Sequence, residues 1–201
     1  MRRERVGVDI DDVIVPAAPH ILDTYNAFYG TTLQLHEYYT RDLEKFGVDE
    51  LSVAIQRVND IVASDEFLSM PPLEEAVEAL GEIAEKRDEF GITGRPTIIE
   101  AATNRWLLEH FTDYPFQEVV FTNYFPVDGA IMRSKADVCK ELGIDYMIED
   151  HLDHALSIAA AGIKVILFGS YPWNQHDDLP DNVTRVEGWP EVVDYFNAID
   201  G

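Results

Sequence analysis

The sequence predicts an α/β protein with a parallel sheet covered on both faces, carrying a small helical cap after the first strand. Three observations carry this. Short apolar, β-branched runs alternate with segments of helical periodicity along most of the chain. One stretch, residues 16–69, has no strand pattern and is too long for a plain crossover. Acidic and other polar residues fall at the ends of the apolar runs, where open α/β sheets form their sites.

Taken in order, "RVGVDI" is continuous and β-branched, as a strand buried on both faces should be. The following stretch contains "HILDTYNAFYG" and "RDLEKFGVDELSVAIQRVNDIVASDEFL", which are helical, aromatic and polar. After "MPP", "LEEAVEALGEIAEKR" has apolar residues at helical spacing, with proline suited to the helix start. "EFGIT" is a strand closed by Gly94 and Pro96, and "TIIEAATNRWLLEHF" a helix. "EVVFTN" is a strand and "SKADVCKELG" a helix stopped by Gly143. "DYMIED", "HLDHALSIAAAG" and "KVILFG" give strand, helix and strand, and "PEVVDYFNAI" closes the chain as a helix. The core is therefore residues 1–15 and 70–201, and the cap 16–69, with hinges near Val15 and Met70.

Composition bounds the function. The chain has 201 residues, and hydrophobic residues make up 46%, enough for a proper core. One cysteine, Cys139, excludes a disulfide framework and a thiolate zinc site. The acids after "MRRERVGV" break any signal peptide, and no apolar run is long enough to span a bilayer, so a soluble cytoplasmic protein without membrane partners is expected. The net charge of −23 repels nucleic acid polymers. Only five basic residues are lysine; an acid-rich, lysine-poor composition suits a salt-loving source and an ordinary acidic surface equally.

The first strand ends in Asp9-Ile10-Asp11-Asp12, the second in Thr93-Gly94-Arg95, the fourth in Glu149-Asp150, with Asp153 one helical turn on and Lys135 opening the helix before it. If these strands are neighbours, one pocket receives several carboxylates, a hydroxyl with a following amide, and an ammonium. Carboxylates forced together repel unless a cation lies between them. Oxygen ligands suit Mg²⁺, which also lets an acidic protein bind a phosphate. A carboxylate facing phosphorus can attack it, and a second acid two residues on can serve the leaving oxygen. The plainer readings are a helix N-cap and a turn residue for Asp9 and Asp11, a turn hydroxyl for Thr93, a solvated lysine for Lys135, and a first-turn acid for Asp153. His151 and His154 are expected on a helix face, Cys139 in the core, and "YPWNQ" as a structural loop with Trp173 a packing anchor.

These residues resemble a family. "DIDDV" is similar to the D-x-D-x-T/V first motif of the haloacid dehalogenase superfamily, "GITGRP" to its second, Lys135 to its third, and "MIEDHLDHA" to its acidic fourth, in the same order along the whole chain. "ITGRP", "TNRWLLEHF", "KADVCKELGIDYMIEDH" and "VILFGSYPWNQ" together resemble the cytosolic 5′(3′)-deoxyribonucleotidase type. The resemblance implies a Rossmann-like three-layer core, a helical cap and Mg²⁺-dependent hydrolysis of a small phosphorylated substrate, most readily a (deoxy)nucleoside monophosphate. It implies Asp9 as nucleophile and Asp11 as general acid/base. It implies Thr93, Gly94 and Lys135 on the phosphate, and Asp9, Asp11 and Asp150 on the metal. Arg95 stands as a weaker substrate contact, Glu149 and Asp153 as weaker acidic candidates, and Asp12 as charge at the pocket rim. The cap has no tryptophan, so base stacking falls to Tyr25, Phe28, Tyr29, Tyr38, Tyr39 and Phe46. A sugar phosphate is the alternative substrate. A receiver-like phospho-acceptor module is a non-enzymatic alternative, and a homodimer is left open.

Overall fold

The computed structural model describes residues 2–40, 42–111, 115–125 and 129–201. Among these residues six strands, all parallel, form one sheet: β1 Glu4–Val8, β2 Arg87–Thr93, β3 Val119–Phe121, β4 Tyr146–Glu149, β5 Lys164–Phe168 and β6 Val183–Val186, in the spatial order β3-β2-β1-β4-β5-β6. This is the Rossmann order, and its switch point lies at β1, with β2 on one side and β4 on the other. Alternation along β1 sends Val6 and Val8 to one face and Gly7 to the other. A Cβ on Gly7 would lie 2.7 Å from Met147 Sδ and 3.0 Å from Ile92 Cδ1, so only glycine lets the central strands close.

Each face is covered by helices with apolar stripes. The Val6 and Val8 face packs with Leu80 and Ile83 of α4 (Ala76–Lys86), Trp106 and Leu107 of α5 (Glu100–His110) and Val192 and Phe196 of α8 (Trp189–Asp200). The opposite face packs Ile92, Met147 and Leu167 against Val138 and Cys139 of α6 (Lys135–Leu142) and Ile158 of α7 (Leu152–Ala160). Cys139 is buried there. No helix among the described residues is long and apolar enough to cross a membrane.

Two strands differ from the sequence reading. The strand Val183–Val186 was not expected. It has four residues, pairs only with β5 and exposes Thr184, so its sequence carries too little apolar pattern to announce a strand. Arg87, expected at the end of the preceding helix, opens β2 instead. Its guanidinium is held by Asp200 and Glu4 over the Phe196 ring, an environment supplied by distant parts of the chain.

Between β1 and β2 lie α1 (Ala17–Tyr29), α2 (Leu51–Val62) and the short α3 (Asp65–Leu68), whose Ser64 side chain accepts from Phe67 N. The expected continuous helical stretch is interrupted by turns over residues 43–47. The outgoing and returning passages of this segment are tied together. Leu73 N donates to Ile14 O at 2.9 Å, Trp189 Nε1 donates to Val13 O, and Trp106 Nε1 donates to Met70 O. Both indoles are fully buried, so these donors need the carbonyls they reach.

One buried acid lies outside this order. Glu89, opposite Val6 in the β1–β2 register, points to the same face, and neither carboxylate oxygen has a hydrogen-bond partner among the described residues. Burial pushes its carboxyl up to about 9. The unfolded chain releases this proton above the ordinary value of 4.5, whereas the folded chain keeps it to about 9, so the group lowers stability as pH rises through that window. Glu89→Gln is expected to stabilise the protein relative to the parent, by a margin growing roughly 1 kcal/mol per pH unit between pH 5 and 8 in chemical denaturation. A margin that is flat with pH would contradict the assignment.

Candidate active site

The switch point of the sheet brings the polar strand ends together. Asp9 follows β1 directly, its N–H still donating to Ile148 O of β4 at 3.0 Å, so the ladder holds the two strand ends in register. Its own Oδ1 accepts from Ile10 N at 2.8 Å. Glu149 ends β4 and Asp150 follows. Oxygens of Asp9, Glu149 and Asp150 all lie within 4.8 Å of one another, and all three residues are buried. Lys135 reaches them from the first turn of α6, which Ser134 caps by accepting from Asp137 N at 3.0 Å. Its Nζ lies 2.7 Å from Asp9 Oδ2 and 2.8 Å from Glu149 Oε2.

Three carboxylates share one ammonium, and the imbalance is visible in their protonation. Burial pushes Glu149 up, but Lys135 and His154 outweigh it and hold it below the ordinary range. Burial also opposes the charge on Lys135, yet Asp9 and Glu149 keep it protonated. Asp9 is pushed up to about 7 by burial, with Glu149 and Asp11 adding to the rise and Lys135 opposing it. Asp150 is pushed well above its ordinary value by burial and by Glu149 and Asp9. A buried oxygen set with surplus negative charge fits a hard divalent cation. Asp9 and Asp150 are the residues with charge left to neutralise.

The remaining predicted residues surround this centre. Thr93 ends β2, is fully buried, and its Oγ1 accepts from Arg95 N at 3.2 Å. At Gly94 the nearest atom to an added Cβ is Tyr124 Cβ at 3.5 Å, so the backbone there stands open to the cavity it lines. Asp11 is gripped by Arg95, with Nη2 to Oδ1 at 2.7 Å and Nε to Oδ2 at 3.0 Å. Arg95 also donates to Thr103 Oγ1 and lies over the Phe67 ring, so the guanidinium expected on substrate is engaged within the protein. Asp12 is not rim charge. It is 1% exposed, with φ of 58°, and its carboxylate accepts from Ala18 N at the start of α1. Asp153 lies exposed on the first turn of α7, apart from the metal-capable group.

Sequence reasoning missed several contributors. Trp173, expected as a packing anchor, donates its indole N–H to Asp150 Oδ2 at 2.7 Å and stacks on Tyr171, whose hydroxyl donates to Asp12 O. Asn174 Nδ2 donates to Asp150 O and Phe168 O, pinning this loop to the ends of β4 and β5. In the sequence, "YPWNQ" reads only as a structural loop. His151 and His154, expected on a helix face, line the site, packing edge-on to Tyr39 and Tyr124.

A cavity of about 170 Å³ runs from Asp9, Lys135 and Asp150 to the residues 17–62 segment. Of the expected stacking aromatics, Tyr38, Tyr39 and Phe46 line it. Tyr25 is in the core, and Phe28 is 73% exposed. Tyr124 and Phe125, which follow β3, join the lining from the other side.

The chain resembles known proteins in sequence and in fold. A nucleotidase from Clostridium acetobutylicum is 22% identical over 195 residues, covering 96% of this chain and 93% of that one. Among solved structures, a predicted phosphatase from Clostridium acetobutylicum superposes with a TM-score of 0.72 at 16% identity, covering 98% of this chain and 100% of the other. A haloacid dehalogenase-like hydrolase from Streptococcus pneumoniae does so with a TM-score of 0.68 at 14% identity over 96% and 98%. A HAD hydrolase from Bacillus subtilis, solved bound to magnesium, gives 0.65 at 11% over 98% and 100%. The family model for 5′ nucleotidase, deoxy (Pyrimidine), cytosolic type C protein matches residues 3–199. With the family model matching nearly the whole chain, the chain belongs to this cytosolic 5′ nucleotidase family.

Proposed function

We propose that the protein hydrolyses (deoxy)nucleoside monophosphates through an aspartyl-phosphate on Asp9, with Mg²⁺ as cofactor, in the cytoplasm. The observation that carries this reading is the convergence of Asp9, Glu149 and Asp150 within 4.8 Å, beside Lys135, at the floor of an aromatic-lined cavity.

Asp9 and Asp150, with the backbone carbonyl of Asp11, are the residues that hold the cation. Bound there, it neutralises the converging carboxylates and the incoming phosphate. Lys135, the Thr93 hydroxyl and the Gly94 N–H orient the phosphate oxygens and stabilise their charge in the transition state. An Asp9 oxygen attacks phosphorus. The P–O bond to the leaving group breaks, and Asp11, released from the Arg95 fork, delivers a proton to the departing oxygen. Water then attacks the phosphorus of the aspartyl-phosphate, Asp11 takes its proton, and the Asp9–phosphorus bond breaks to release phosphate. Residues 16–69 act as the cap. Closing it over the cavity excludes bulk water, and the aromatic rings of Tyr38, Tyr39, Tyr124 and Phe125 give a planar base a surface to stack on.

Asp9→Asn is expected to lower kcat at least about 10³-fold on every phosphomonoester while leaving the fold intact by circular dichroism, because the nucleophile is lost. Retained turnover rules out the intermediate. Magnesium is expected to raise the Tm of the parent, by up to about 2.7 kcal/mol of stabilisation at a hundredfold excess over Kd. Asp150→Asn is expected to be the more stable protein in chelator, because a buried surplus charge is gone, and to lose most of the magnesium shift in a thermal scan. A panel of nucleoside monophosphates and sugar phosphates checks the substrate. Preference for esters without a base would shift the assignment to sugar phosphates.

A further inference from the structure

The cap side of the cavity is apolar. Leu51, Ala54, Ile55, Val58 and Val62 present one face of α2 to it, at the spacing of a helix stripe. Asn59 lies on the same face and breaks the pattern. It is 5% exposed, lines the cavity, and its side-chain Nδ2 has no hydrogen-bond partner among the described residues. The other buried amide near the site is different: Asn174 Nδ2 donates to backbone carbonyls of residues 150, 168 and 169. A buried amide left unpaired destabilises the fold, and an aliphatic side chain would suit this helix face better. The residue makes physical sense if the cavity fills with something that accepts its hydrogen bond.

The geometry points to Asn59 as a specificity-determining residue, whose amide donates to an acceptor on a planar heteroaromatic base that the leaving alcohol carries and the cavity seats. This rests on the phosphomonoesterase reading above and adds to it the group that reads the leaving group. A phosphate ester that carries no such acceptor leaves the amide unpaired. Discrimination therefore comes from the penalty on the wrong ligand as well as from the contact to the right one.

The test compares kcat/KM for deoxyuridine monophosphate and phenyl phosphate in the full-length parent and in Asn59→Leu, with Tm measured alongside. The expected result is a fall of at least about tenfold in the nucleotide-to-phenyl ratio, carried mainly by KM, with a Tm equal to or above that of the parent. An unchanged ratio with a raised Tm overturns the inference and leaves the phosphatase reading standing, since Asn59 would then be a packing residue only. If Asn59→Leu does not fold, Asn59→Ser carries the same comparison with the same two outcomes. A parent protein that hydrolyses phenyl phosphate but no nucleotide overturns the inference together with the nucleotide assignment. One that hydrolyses neither ester likewise overturns the inference and the nucleotide assignment, leaving sugar phosphates as the esters to try.

Discussion

The structure depends on one electrostatic constraint: Asp9, Glu149 and Asp150 are buried side by side with a single ammonium, from Lys135, between them. Charges out of water are costly unless paired, and one cation cannot pair with three anions. Everything around the site manages this deficit. The β1–β4 ladder extends one residue beyond the strands so that Asp9 is held against the end of β4. The first turn of α6 is capped so that Lys135 points inward. The loop after β5 supplies the Trp173 indole and the Asn174 amide to Asp150. Surplus buried charge is thus concentrated at the ends of β1 and β4, where a hard divalent cation would be suited to it. This is a common way for a fold to give up stability for function.

A second network controls Asp11. Arg95 engages both oxygens of this carboxylate while Thr103 and the Phe67 ring hold the guanidinium in place. Phe67 belongs to α3 and Thr103 to α5, so the fork connects the segment between β1 and β2 to the core. Because the fork is shared in this way, displacement of the helical segment and freedom of Asp11 are physically coupled. Asp12 complements it by capping α1 from a backbone conformation that non-glycine residues seldom adopt, the kind of local strain that persists where surrounding structure over-determines it.

The cavity joins two chemistries that belong to different parts of the chain. Its floor is charged and comes from strand ends. Its walls are apolar and aromatic and come largely from α1, the connection between α1 and α2, α2 itself and the loop after β3. A molecule with an anionic head and a flat body suits both ends at once, which a small anion alone does not.

Much of this was legible in the residues themselves. Five of the six strands and the helices after Met70 follow from hydrophobic periodicity, because burial on two faces of a sheet or one stripe of a helix leaves a direct imprint on the sequence. The acids at the strand ends stand out for the same reason: a carboxylate where burial is expected needs an explanation. What the residues could not disclose depends on contacts between distant segments. The four-residue β6, the burial of Asp12, the Arg95–Asp11 fork and the Trp173–Asp150 bond each arise where chains far apart in sequence meet. The sequence determined which segments are strand or helix and where charge interrupts them. Only the tertiary structure decided which of those charges meet, because pairing across the sheet and around the cavity is set by packing in three dimensions and leaves no period along the chain.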